Sequence, residues 1–290
     1  MSGLALGIVL LAALLHAGWN LLAKKSRNKM AFIWWFVMIA VIGYVPMFLS
    51  FLPGFDPTPA GWACIVATGI LHALYFWFMG GAYERGDLSL VYPLFRGSGP
   101  LFVPVLAVIL LHERLALSGI IGIALVVLGI YVIHLKAFTI DSFLEPLRAM
   151  RGSASLWALC TGGTIAGYSL VDKVGVSLVY PPVYIYLMFL ISLLLLSPYM
   201  LLKERAALKI EWQVNRGAIL IDGFLVLFTY LIILFAFKLS KVSYVVAARE
   251  VSIVFSALLG ILWLKEAHAP QKIAGSVLIA GGVALIGFSR

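Results

Sequence analysis

LVYPLFRGSGP (90–100) and SYVVAAREVSI (243–253) each set one arginine, Arg96 and Arg249, inside an apolar run, where a cation is costly. Seventeen residues beyond each arginine stands a glutamate, Glu113 in LLHERL and Glu266 in WLKEAH. Nine further on are Gly122 and Gly275, and seven beyond those are Gly129 and Gly282. All four pairs fall at one offset, 153, without a gap, so the chain is two copies of one unit. An earlier match lies at offset 149, where HAGWNLLAKK (16–25) parallels IAGYSLVDKV (165–174). There Gly18 meets Gly167, Trp19 meets Tyr168, Asn20 meets Ser169 and Lys24 meets Lys173.

Hydrophobic residues make up 63% of the 290 residues and the mean hydropathy is +1.08, which excludes a soluble globular domain. Ten apolar segments run near 3–23, 31–52, 61–83, 90–111, 119–135, 153–171, 182–202, 217–237, 243–264 and 271–289. Each is about long enough to cross a hydrocarbon core roughly 30 Å thick. Backbone groups in lipid must be satisfied within the segment, so these are read as helices, and the alternating ten-residue pattern of a barrel is absent. The first segment has no basic leader and is too long for a signal peptide, so it counts as a helix. The expectation is an all-α polytopic membrane protein with ten transmembrane helices. Residues 1–140 form the first repeat, 141–152 a linker and 153–290 the second repeat. The joining stretch around them, KAFTIDSFLEPLRAMRG (136–152), carries Pro146 and mixed charge.

Five helices per copy is an odd number. The second copy therefore enters the membrane from the opposite side, which makes the two five-helix repeats inverted. That architecture goes with alternating access and a site near the midplane between the halves. The net charge of +9 is not a nucleic-acid signal, because 19 of the 21 Lys and Arg lie in connections or at the C-terminus. Connections 1, 3, 5, 7 and 9 carry 14 of these, counting Lys272 at the head of the last segment with connection 9, and are led by residues 24–29 and the 203–216 loop; the even connections and the C-terminus carry 5. The positive-inside rule then places both termini outside the cytoplasm. Cys64 and Cys160 both fall within helices and read as packing residues rather than a disulfide, thiol or metal site.

The duplicated glutamate-plus-glycine pattern and the Gly-aromatic-Asn/Ser…Lys segments resemble the drug/metabolite transporter superfamily, in its ten-helix EamA-like branch. The resemblance covers nearly the whole chain. AYERGDLSLVYPLFRGSGP (82–100) looks like a subgroup that includes permeases associated with phosphonate use. The resemblance implies an integral protein of the bacterial inner membrane that moves amino acids or other small metabolites, mostly outward. It implies both termini in the cytoplasm, against the Lys/Arg distribution, and orientation stays open between the two.

The residue-level expectations follow from burial. Arg96 and Arg249 lie some six residues, roughly 9 Å, into their helices. They either snorkel, or pair with a carboxylate or carbonyl, or bind an anionic substrate group, for which a guanidinium is well suited. Glu250 and Asp222 are carboxylates well inside helices; Glu250 either pairs with Arg96 across the repeats or couples transport to protons, and Asp222, six residues into its helix, either sits at the membrane interface or shares the coupling role. Polar-aromatic stripes line His16, Trp19 and Asn20; His72, Tyr75, Phe76, Met79 and Tyr83; Thr161, Thr164, Tyr168 and Asp172; and Asp222, Thr229 and Tyr230. Such stripes face other helices or a wet cavity. Tyr92-Pro93, Pro100 and Pro104 predict a kink or break beside Arg96. Glu113 and Glu266 read as helix-end caps or as members of a gate, and the paired glycines as close helix packing.

The expected substrate contacts are therefore Arg96, Arg249, Trp19, Asn20, His72, Tyr75, Tyr92, Tyr168 and Tyr230. The expected coupling or gating residues are Glu250, Asp222 and Asp172. No catalytic residue, metal or cofactor is expected: there is no HExxH, the five histidines are scattered, and GxxxxGK[ST] is absent. The reading is a secondary transporter of small polar or anionic metabolites. Its partners are that substrate, the bilayer, and a coupled proton or counter-substrate; a homodimer is compatible and nucleic acid is not expected. The alternative is a non-transporting scaffold or accessory subunit, in which the arginines serve stability alone.

Overall fold

The computed structural model describes residues 1–24, 26–85, 88–135, 137–143, 152–264 and 270–289. The described residues are helical with no strand. The helices are α1 (Gly3–Lys24), α2 (Lys29–Gly43), α3 (Val45–Phe51), α4 (Pro59–Arg85), α5 (Leu88–Leu110) and α6 (Leu117–Ile133) in the first copy. The second copy holds α7 (Ser153–Leu178), α8 (Pro181–Lys203), α9 (Arg205–Leu239), α10 (Val242–Arg249), α11 (Val251–Leu264) and α12 (Pro270–Phe288). Among the described residues, six helices (α1, α4, α7, α8, α9 and α12) are long and apolar enough to cross a membrane, which makes this an integral membrane protein. The pair α2 and α3, bent by 46°, would add a seventh. The apolar stretch of α5 and the whole of α6 are shorter.

Three interruptions have local causes. Pro46 lacks an N–H for the helical ladder, and the chain bends just before it at Tyr44. The kink in α9 sits at Asn215, whose side chain donates to Glu211 Oε1 at 2.6 Å. The stretch 203–216, expected as a loop, is therefore largely helical. Its Trp212 ring packs on Trp35 at 4.6 Å, and Trp35 Nε1 donates to the Leu208 carbonyl at 2.9 Å. The third interruption separates α10 from α11 at Glu250, whose N–H bonds the Ala247 carbonyl in a tight 3₁₀ turn. Of the kink or break expected beside Arg96, the break does not occur: α5 runs unbroken past Pro93, Pro100 and Pro104.

Packing between the copies is symmetric. α1 lies on α9 as α4 lies on α7, α1 on α11 as α5 on α7, and α2 on α9 as α4 on α8. Three pairs, α2 with α8, α5 with α10 and α6 with α12, map onto themselves. The last pair is antiparallel. A Cβ on Gly122 would stand 2.7 Å from the Gly282 carbonyl oxygen, and one on Gly129 would stand 2.8 Å from that of Gly275. The first glycine of each copy faces the second of the other, so only glycine admits this approach.

Candidate functional site

The centre of the molecule is where the two arginine helices meet the stripe of α7. Both arginines are buried, at 5% and 6% exposure, so neither reaches a membrane surface. Their surroundings differ. Arg96 Nη2 lies 2.9 Å from Glu250 Oε2 and donates to Ser252 Oγ at 2.8 Å, so α5 is tied to the start of α11. Glu250 is 1% exposed, which makes this a fully desolvated ion pair. Arg249 ends α10 with its guanidinium beside the Tyr168 phenol. The two guanidiniums are within electrostatic reach of each other and of His16 on α1.

Aromatic rings continue from Arg249. His72 stacks on Tyr168 with centroids 4.1 Å apart, and Tyr230 meets both rings edge-on at 5.3 and 6.0 Å. Tyr75 stands edge-on to Tyr168 at 5.8 Å. One turn along α7 from Tyr168 is Asp172, fully buried. Its Oδ1 accepts from Thr68 Oγ1 at 2.5 Å and from the Tyr184 hydroxyl at 2.8 Å; its Oδ2 accepts from the Tyr230 hydroxyl at 2.5 Å. His72 Nδ1 lies 2.9 Å from the Thr68 carbonyl oxygen and 3.1 Å from Thr68 Oγ1. With the hydroxyl donating to Asp172, Nδ1 carries the proton toward the carbonyl. Arg249, Tyr168, His72, Tyr230, Thr68 and Asp172 thus form one continuous polar chain through the apolar core.

The structure brings together Arg96, Arg249, Glu250, His72, Tyr75, Tyr168, Tyr230 and Asp172. Trp19 packs edge-on to His16 at 4.7 Å and beside Phe36 at 6.0 Å, its Nε1 without a partner. Asn20, next along α1, is half-buried. Asp222 stands apart from the chain, about two turns from Tyr230 along α9. It is fully buried and neither carboxyl oxygen has a hydrogen-bond partner. The side chain of Tyr92 and the whole of Glu266 lie outside the described residues. Thr161 and Thr164 bond the carbonyls of Trp157 and Thr161 on their own helix, which leaves them little to offer a ligand. Both cysteines are free thiols, and no group of three potential metal ligands occurs among the described residues.

Sequence reading missed Thr68, Tyr184 and Ser252. Thr68 had a signal, since it precedes His72 by four residues and shares its helix face. Tyr184 and Ser252 had none, because only tertiary packing sets them against a residue of another helix.

The sequence pattern of the EamA-like transporter family matches residues 3–135 and again residues 152–288. The chain belongs to the EamA-like transporter family. It is therefore a membrane protein of the drug/metabolite transporter type, built from two family repeats. No curated protein matches its sequence. One crystal structure, titled only as that of a protein, superposes with a TM-score of 0.76 over 98% of this chain and 96% of its own. Its sequence identity is 18%, so this likeness concerns the fold.

Proposed function

We propose that this EamA-like protein is a secondary transporter of small polar or anionic organic metabolites, such as amino acids or phosphonate-like compounds. It works by alternating access in the bacterial inner membrane, as an exporter or exchanger. In this reading all ten apolar segments cross the bilayer, including the shorter and the interrupted ones. The observation that carries the reading is the inequality of the two buried arginines. Arg96 has its carboxylate at 2.9 Å, whereas the Arg249 guanidinium lies against Tyr168 and the ring stacked on it. A buried guanidinium set against rings rather than a carboxylate is costly to maintain and suits a carboxylate, phosphonate or phosphate group bidentately. Tyr168, His72 and Tyr230 then offer faces and hydroxyls to the rest of a small metabolite, with Trp19, Asn20 and Tyr75 at its edge. For proton coupling, Asp172 stands ahead of Glu250 and Asp222. Glu250 is held by a cation, while Asp172 is held by hydroxyl donors and joined to His72 through Thr68.

The test is thermal unfolding of the purified protein with amino acids, aminophosphonates, organic acids and sugar phosphates, with Arg249→Ala in parallel. A ligand at 100 times its Kd adds about 2.7 kcal/mol to the form that binds it. Stabilisation by one anionic class, lost in Arg249→Ala, is the expected result. No stabilisation by any class in the wild type would turn the reading toward the scaffold.

A further inference from the structure

The α10 helix is anchored at the end away from Arg249, and the anchor belongs to the other half of the molecule. Glu113 follows the C-terminus of α5. The N–H of Glu113 reaches six residues back to bond the Ala107 carbonyl at 3.1 Å, where the chain turns on a left-handed residue after the helix ends. That residue is His112, with φ 54°, where glycine is the usual occupant. The strained turn directs the Glu113 carboxylate to the first turn of α10. There it accepts from Val242 N at 2.7 Å, from Ser243 N at 3.3 Å and from Ser243 Oγ at 2.6 Å. Two further bonds cross the same seam. The Ala116 N–H donates to the Tyr244 hydroxyl at 2.9 Å, and Lys241 Nζ donates to the Arg114 carbonyl.

All eight residues of α10 are buried, and the helix is about 12 Å long by its rise. Its first turn is fastened to the α5–α6 junction and its last residue is Arg249. Beyond that, the turn at Glu250 separates it from α11. A short rigid helix with a break behind it transmits displacement from one end to the other. We propose that Glu113 is a latch. It holds this end of the molecule closed by capping α10, and it lets go when α10 shifts with occupancy of Arg249. Glu113 thus couples a gate to the anion site. This rests on the alternating-access reading above, which supplies the second state into which the latch releases. A carboxylate on bare helix N–H groups is well suited to such a latch. Its bonds are charge-assisted and strong, yet they depend on one side chain and re-form without repacking a core.

The experiment is pulsed dipolar spectroscopy between spin labels at Leu117 and Leu239, two exposed positions on the two sides of the seam. The background carries Cys64→Ala and Cys160→Ala. In Glu113→Ala the ratio of a longer distance to the short one should rise on the order of tenfold, the scale of losing charge-assisted hydrogen bonds. Ser243→Ala should move it the same way by less. Should Glu113→Ala fail to fold, Glu113→Gln and Ser243→Ala carry the comparison. The latch is overturned if these variants leave the distribution unchanged, or merely broaden it around the short distance as fraying would. If the wild type has two distances whose proportion no latch variant alters, the latch falls and alternating access stands. If neither the wild type, the latch variants nor Arg249→Ala yields a second distance, both fall together.

Discussion

Arg96 and Arg249 are the same residue in two copies of one unit, yet the structure gives them different work. Arg96 lies within a continuous helix and is neutralised by Glu250 at 2.9 Å. Arg249 lies at a helix end, against a tyrosine rather than a carboxylate. The cause is one position: the residue after Arg249 is Glu250, and the residue after Arg96 is Gly97. A single carboxylate serves the arginine across the interface, because neighbours on a helix point about 100° apart. Duplication has thus supplied two cations, and the lone glutamate has made one structural and left the other available. The glycine seam of α6 and α12 shows the opposite outcome, since there both copies keep equivalent roles.

The largest expected effect tests the structural arginine. Arg96→Ala should cost about 3–5 kcal/mol of stability in detergent-solubilised protein, because it leaves Glu250 buried and unpaired. Arg96→Met with Glu250→Met should recover most of that loss, and Arg249→Ala should cost far less. Equal losses from the two single arginine variants, measured by thermal or denaturant unfolding, would erase the distinction.

Next comes ligand binding. Arg249→Lys keeps the charge but loses the planar fork, so a stabilising anion should bind at least about tenfold more weakly, a difference of roughly 1.4 kcal/mol. Calorimetry with the best ligand of the panel checks this, and unaltered affinity would move the anion site elsewhere.

The glycine seam should respond evenly where the arginines do not. Gly122→Ala and Gly275→Ala occupy equivalent places and should each cost about 1–3 kcal/mol by forcing backbones apart. Gly281, with open space around its Cβ direction, should gain up to about 1 kcal/mol of helix propensity on change to alanine. A marked difference between Gly122→Ala and Gly275→Ala in unfolding would show that the copies have diverged in scaffold as well as in site.

The smallest effect concerns Asp172, which has no carboxylate counterpart in the first copy, where offset 149 gives Ala23. Tyr184→Phe and Tyr230→Phe should each remove about 1 kcal/mol, and the pair should fall short of additive because both bond one carboxyl group. Full additivity in a double-mutant cycle would argue that the two hydroxyls act separately.

The sequence by itself determined the class of fold, the two-copy plan and the identity of the costly residues. Those rest on hydropathy, on register and on the expense of a charge in lipid, all of which are properties of residues in order. Even so, Tyr92-Pro93 left a kink and a break in α5 both open, and the helix is unbroken there. The actual break falls at Glu250 without a proline, and residues assigned to a loop at 203–216 lie largely in a kinked helix packed on Trp35. Only the tertiary structure decided these, together with the pairing of Arg96 with Glu250, the three hydroxyls on Asp172 and the seat of Glu113 on α10. Each joins residues from separate helices, and the strength of a hydrogen bond or ion pair depends on distances of a few tenths of an ångström that no spacing along the chain encodes.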